Sequence, residues 1–203
     1  YKGDVIKQYF AEYRRLRSDL TFDFTDDTET VHQNHCEPWR VTLVDTGLET
    51  MTGGRLKRVR DYVGDETFCL TYGDGVTDLN VRDVIDFHEQ EGALATLMAT
   101  QLPGRFGVFT LSRDNTRVPR FREKPQGDDA WINGGYFVLE PEVVDYIEGD
   151  DTVWEQEPLT QLAHDGQLAG YRHEGFWQPM DTLRDKKYLE ELWENDERPW
   201  KTW

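Results

Sequence analysis

The chain has 203 residues, 37% of them hydrophobic and seven of them tryptophan, which is enough for one domain with a real core. Its 23 Lys and Arg stand against 40 Asp and Glu, a formal charge of -17 that excludes a nonspecific grip on nucleic acid or on an anionic membrane surface. No window approaches ~18 consecutive apolar residues, and the two cysteines, Cys36 and Cys69, lack metal-ligand spacing, so a reducing, cytoplasmic setting is expected rather than a disulfide framework.

Val5, Ile6, Tyr9, Phe10, Tyr13 and Leu16 recur at helical spacing and predict an amphipathic helix over Asp4–Leu16 with one buried face. Leu20–Phe24 and Glu29–His32 read as short strands around an acidic turn. Val41–Val44 is a stronger strand candidate that runs into the turn Asp45-Thr46-Gly47. Thr52-Gly53-Gly54 opens a helix with Leu56, Val59, Tyr62 and Val63 inward. The apolar run Phe68–Tyr72 follows as a central buried strand, with Cys69 as a small core residue. Asn80 is placed to cap a helix through Gln90 that stops at Gly92. Leu94–Ala99 is the next strand. After Pro103, Gly107–Leu111 and Val118–Arg122 form a strand pair, and Trp131–Leu139 is a strand entered through Asn133-Gly134-Gly135. Helical patterns at Glu142–Ile147 and Glu155–His164, a strand at Leu168–Tyr171, and a helix at Leu183–Trp193 with Tyr188, Leu189 and Leu192 inward complete the chain. Strands alternating with helices predict one α/β domain over residues 1–203 with a mostly parallel sheet.

The break from the central strand into Gly73-Asp74-Gly75 leaves an acid at a strand end between two glycines. There a ligand can approach the carboxylate closely, or the tripeptide is simply a tight turn. Asp181, after the aromatic stretch Phe176-Trp177-Gln178-Pro179-Met180, is either the N-cap of the last helix or a second carboxylate completing a site with Asp74. Two carboxylates with phosphate oxygens are a usual way of holding Mg²⁺. Gly53, Gly54 and the helix start behind them could offer amides to a nucleotide. Glu123-Lys124 before Pro125 could contact sugar hydroxyls and phosphate, or form a plain surface ion pair.

Taken in order, these blocks resemble the sugar-1-phosphate nucleotidylyltransferases over essentially the whole chain. The resemblance is carried by Glu37-Pro38-Trp39 with Val41–Gly47, by Met51–Val59, by Thr71-Tyr72-Gly73-Asp74-Gly75-Val76 and by Pro103-Gly104-Arg105-Phe106-Gly107. Glu123-Lys124-Pro125, Ile132-Asn133-Gly134-Gly135 and Trp154–Leu159 continue it, and Gly175–Asp185 with Pro199–Trp203 are its most specific part. The resemblance implies a Rossmann-like nucleotidyltransferase fold with a mixed central sheet. It also implies transfer of a cytidylyl group from CTP to α-D-glucose 1-phosphate, giving CDP-glucose and pyrophosphate, toward deoxysugars of surface polysaccharides such as O-antigen.

Carried over by position, Asp74 and Asp181 match the Mg²⁺ ligands of that family. Glu123 matches the acid on the sugar hydroxyls and Lys124 the cation on the sugar's phosphate. Thr52, Gly53, Arg55 and Gly73 match the nucleotide site, and Gly107 and Gly135 match turns beside the sugar. The family's glycine-rich Gly-x-Gly-Thr-Arg loop and its Lys-Pro segment do not occur. Tyr1-Lys2-Gly3 aligns with the start of the family's second helix, so a first βα unit of roughly 30 residues or more is expected to be missing.

Two other classes fit the same motifs: a catalytically inactive sugar-nucleotide sensor on this fold, and a metal-dependent glycosyltransferase whose acid motif follows a strand. The aromatic tail at Trp193, Trp200 and Trp203 packs either on a neighbouring subunit, in a homo-oligomer, or back on its own domain. The dispersed acids predict an adaptation to high salt. Dialysis to low salt, followed by circular dichroism, is expected to cost the protein its fold, and indifference to salt rules the adaptation out.

Overall fold

The computed structural model of the chain describes residues 2–101, 108–110, 120–122 and 131–202. In chain order its elements begin with α1 (Gly3–Leu16), β1 (Ser18–Asp23), β2 (Thr28–Asn34), α2 (Thr52–Arg58), α3 (Arg60–Val63), β3 (Phe68–Thr71) and β4 (Gly75–Thr77). They continue with α4 (Val81–Glu91), β5 (Ala95–Thr100), β6 (Val108–Thr110), β7 (Arg120–Arg122), β8 (Ile132–Leu139) and a 3₁₀ turn at Pro141–Tyr146. Last come α5 (Glu157–His164), β9 (Leu168–Arg172), β10 (Trp177–Pro179) and α6 (Leu183–Glu194). The predicted boundaries hold closely for α1, α4, β5, β8, β9 and α6. α4 is capped as expected, with the Asn80 side chain accepting from the Arg82 amide at 3.1 Å and Gly92 at φ 64°.

The main sheet has the strand order β3-β8-β5-β9. β8 lies antiparallel between β3 and β5, and the β5–β9 pair is parallel. The sheet is therefore mixed, as the family resemblance implies, and not mostly parallel as the alternation of elements suggests. The strand that returns after the β6–β7 hairpin inserts between β3 and β5 in the reverse direction, which the alternation of strands and helices does not reveal. Because side chains alternate across a strand, the sheet buries two faces. Ala95, Phe137 and Leu139 join Leu56, Val143, Ile147, Trp154 and Leu162 in one core under α2, the 3₁₀ turn and α5. Thr96 faces α4 on the other side, where buried His88 bonds its hydroxyl at 2.8 Å and approaches Glu140 at 3.1 Å.

Several expectations fail, for physical reasons. Val41–Val44 is not a strand: among the described residues no strand pairs with it, and an apolar β-prone run forms no ladder alone. The predicted inner face of α1 is largely open. Val5, Ile6 and Tyr9 are about half exposed, and only Tyr13 is buried, stacked on Trp39 at 5.9 Å. Instead of covering a sheet, α1 overhangs an open cleft of about 810 Å³ whose opposite wall includes Thr42–Leu48. Cys69 is exposed because β3 is an edge strand and its outward side lacks the cover that α4 gives β5. Tyr62 and Tyr188 are also exposed. The predicted helix at Glu142–Ile147 is a 3₁₀ turn, and the two short strands β4 and β10 carry no period long enough to see in the sequence. Of the aromatic tail, Trp200 packs back on Phe176 at 5.6 Å while Trp193 is half exposed; Trp203 lies outside the described residues.

The Arg58 guanidinium holds the Asp150 carboxylate with two bonds, of 2.8 and 2.5 Å, and pins α2 to the loop before Trp154. These hydrogen bonds hold the Asp150 carboxyl below its ordinary value of 3.8. The stabilisation it contributes is therefore complete above that value and is lost as pH falls through the lowered one. Urea unfolding of Arg58→Met and of the parent is expected to differ at pH 7 and to converge as the pH falls through the lowered Asp150 value. A gap that stays constant with pH would mean the pair contributes nothing.

Candidate active site

The turn after β3 sends the chain through Gly73-Asp74 into β4, which pairs antiparallel with β10 in the register Thr77↔Trp177, Val76↔Gln178 and Gly75↔Pro179. One further backbone bond, from the Met180 amide to the Asp74 carbonyl at 2.7 Å, closes the end of this ribbon. The consequence is that Asp74 and Asp181, far apart in the chain, line one cavity of about 200 Å³. Both are exposed to it, and neither carboxylate makes a hydrogen bond or ion pair within the described residues. The space beside Gly73 is open, so the turn leaves room around Asp74.

Asp181 is not the N-cap of α6. Thr182 takes that place: its hydroxyl accepts from the Asp185 amide at 3.2 Å, and Asp185 accepts from the Thr182 amide at 3.0 Å, a reciprocal capping box. Gln178 of β10 also reaches the buried Asp185 carboxylate at 3.3 Å. The cap thus fixes the residue next to Asp181 and leaves the Asp181 carboxylate to the cavity.

The opposite wall comes from the start of β8. Gly134 and Gly135 lie inside that strand, at a bulge where the pairing with β5 slips between Leu97 and Ala99. Gly135 has φ 75°, its amide is held by the Asn133 side chain at 2.9 Å, and a Cβ there would sit 2.7 Å from the Tyr72 ring. Gly134 offers its carbonyl to the Trp177 indole at 2.9 Å, which ties β10 to the main sheet. Tyr136 completes the wall. Burial, followed by a hydrogen bond to Cys69, pushes its phenol well above the ordinary value.

Of the expected nucleotide residues, Gly73 precedes Asp74 in the turn, Thr52 is linked to the cavity wall through Glu155, and Arg55 lies in the other cleft. Thr52 accepts from the Trp154 amide at 2.9 Å and donates to Glu155 at 2.8 Å, while the other Glu155 oxygen takes the Tyr72 hydroxyl in a short contact. Glu155 therefore joins the start of α2 to a residue lining the carboxylate cavity. Only its place among the resembling blocks marked it in the sequence. The amides of Gly53 and Gly54 both reach the Thr152 carbonyl, at 3.0 and 3.3 Å, so in this structure they serve packing. Arg55 lines the larger cleft under α1 and is engaged with the Thr46 hydroxyl at 2.7 Å and the Leu48 carbonyl at 3.0 Å. Glu123, Lys124 and Gly107 lie outside the described residues.

Among the described residues, no group of three or more His, Cys, Asp or Glu is arranged to hold a metal by itself. Two oxygen-donor carboxylates in one cavity nevertheless fit a hard cation that keeps water and takes phosphate oxygens for its remaining positions. No Lys, Arg or His lines the cavity among the described residues, so nothing in that lining offsets the two negative charges.

The comparisons with known proteins bear on the family and the fold. The nucleotidyl transferase family pattern matches residues 41–182. The chain is 58% identical over 204 residues to the glucose-1-phosphate cytidylyltransferase of Salmonella typhi, covering 100% of this chain and 79% of that protein. It is 42% identical to a probable glucose-1-phosphate cytidylyltransferase of Bacillus subtilis, with the same coverage. Among solved structures, HddC from Yersinia pseudotuberculosis superposes with a TM-score of 0.54 at 19% identity, over 72% of this chain and 64% of that one, a likeness of fold.

Gly54 packs against the loop that Arg58 pins, and a Cβ there would meet the Asp150 carbonyl at 2.5 Å. Gly54→Ala is expected to destabilise the fold by about 1–3 kcal/mol through overpacking, read as a lowered urea midpoint at unchanged slope. An unchanged midpoint would show that the loop gives way freely.

Proposed function

The chain belongs to the nucleotidyl transferase family, and on that premise we propose that it forms CDP-glucose and pyrophosphate from CTP and glucose 1-phosphate with Mg²⁺, using Asp74 and Asp181 as the cation's protein ligands. The observation that carries this reading is the shared cavity. Two carboxylates from distant parts of the chain line one cavity with no basic group among its described lining residues, and Glu155 links that cavity to a helix start that matches a nucleotide site.

The reaction needs no protein nucleophile. A phosphate oxygen of glucose 1-phosphate attacks the α-phosphorus of CTP, one P–O bond forms, the bond to the β-phosphate oxygen breaks, and pyrophosphate leaves. What the protein supplies is alignment and charge balance. Asp74 and Asp181 would hold the Mg²⁺, whose charge, when bound, would offset that of the phosphates. Thr52, Gly53, Arg55 and Gly73 belong to the nucleotide side in this reading. Gly135 and Gly107 lie beside the sugar, Glu123 accepts from its hydroxyls and Lys124 pairs with its phosphate. The Thr52–Glu155–Tyr72 bridge couples the two sides, so the nucleotide and the sugar phosphate meet across one rigid connection. The bulge at Gly134–Gly135 keeps side chains out of the space a sugar ring would take.

Pyrophosphate release by the full-length gene product, with each nucleoside triphosphate in turn plus glucose 1-phosphate, is expected only with CTP. Asp74→Ala is expected to reduce that turnover to background with an unchanged circular dichroism spectrum. Near-normal turnover in Asp74→Ala would refute the ligand assignment. Consumption of a preformed nucleotide sugar without pyrophosphate would mark a glycosyltransferase instead.

A further inference from the structure

The ribbon that joins Asp74 to Asp181 has only three residue pairs, too few to define its own register by backbone bonding alone. Its far end is closed by side chains. Asp78, just past β4, accepts from the Phe176 amide at 2.8 Å through the carboxylate oxygen that also lies 3.1 Å from His173 Nε2. The same Nε2 is 3.0 Å from the Thr77 hydroxyl and 3.1 Å from the Phe176 carbonyl. The carbonyl and carboxylate oxygens can only accept, and the Thr77 hydroxyl donates to the Phe176 carbonyl, so these contacts call for the N–H tautomer at Nε2. The Phe176 carbonyl in turn accepts from the Thr77 hydroxyl at 2.8 Å and from the Asp78 amide at 3.2 Å. Gly175 is required for this approach, since a Cβ there would meet the Asp78 carboxylate at 2.4 Å and the His173 ring at 2.7 Å. His173 is only 10% exposed, and it follows directly on β9, so the cluster ties the ribbon to the edge of the main sheet.

We propose that Asp78 and His173 are positioning residues: they latch β10 to β4 in a single register and so hold Asp74 and Asp181 at one divalent cation. The inference rests on reading those two aspartates as the cation's ligands. Neither latch residue lines the cavity, so their action is through the ribbon. A slip of one residue would move Asp181 by about 3.3 Å along the strand and turn the side chains of β10 to the opposite face. The latch opposes that slip from one end, and the Met180–Asp74 backbone bond marks the other.

The test is Mn²⁺ binding to the full-length gene product, read by titration calorimetry without substrates, beside thermal melting. Asp78→Ala is expected to weaken Mn²⁺ binding by about 10-fold or more, the usual effect of losing a group that orients metal ligands. Asp78→Asn keeps an acceptor for the Phe176 amide and is expected to restore most of the affinity. Val143→Ala, a core change remote from the ribbon, serves as the stability control. If Asp78→Ala weakens binding no more than Val143→Ala does at a matched loss of melting temperature, the latch is overturned. If Asp78→Ala fails to fold, His173→Ala carries the test, since it leaves the Asp78–Phe176 bond in place, and undiminished Mn²⁺ affinity in it overturns the proposal. Undiminished affinity in Asp74→Ala would instead remove the cation site itself, and the proposal with it.

Discussion

A short antiparallel pairing between β4 and β10 is the constraint on which the site depends. Three residue pairs and one backbone bond beyond them bring the turn after β3 beside the segment that leads into the last helix. Everything that would do chemistry in the described part of the chain is referred to that ribbon. One acid stands at its edge on each strand. The Trp177 indole fastens it to the main sheet through Gly134, and the Gln178 amide fastens it to α6 through Asp185. Backbone pairing can do this where side-chain contacts alone could not, because its geometry leaves few alternative arrangements once both ends are held.

The rest of the architecture supports that placement. β8, inserted between β3 and β5, is bulged where it meets the cavity, and its glycines let the Tyr72 ring and the Met98 side chain come close to the backbone. Glu155, at the end of the loop that α2 grips through Gly53, Gly54 and Arg58, reaches across to Tyr72. Packing of α2 against that loop and the position of a cavity residue are thus one mechanical unit. The two glycines that look like a phosphate cradle in the sequence are used to bring helix and loop into contact.

Charge poses a question that the cavity answers. A chain with a formal charge of -17 is a poor host for two polyanionic substrates, and two carboxylates with no basic group in the described cavity lining make the local problem worse. At physiological ionic strength charges beyond about 8 Å are largely screened, so the dispersed surface acids weigh little against groups in the cavity. In the proposed reading, a divalent cation held by the two aspartates would cancel their charge. The acidic surface and the anionic chemistry of the proposed reaction are then compatible.

Much of the fold was legible from local patterns. Asn80 and Gly92 mark the ends of α4, the apolar runs mark β5 and β8, and Gly73-Asp74-Gly75 marks a strand end with an exposed acid. These features are set by neighbours in the chain: caps, turns and side-chain periodicity. The mixed direction of the sheet came from the family resemblance and not from local patterns, while the exposure of Cys69 on an edge strand, the lack of a partner strand for Val41–Val44 among the described residues and the open face of α1 were not legible, because each depends on which distant segment lies alongside. The same holds for the site. Sequence alone determined that two aspartates were available and that one of them sat in a glycine turn. Only the tertiary structure decided that they share a cavity and that Thr182, not Asp181, caps the last helix. The physical reason is that strands as short as β4 and β10 carry no periodic signal of their own and exist through their pairing with each other.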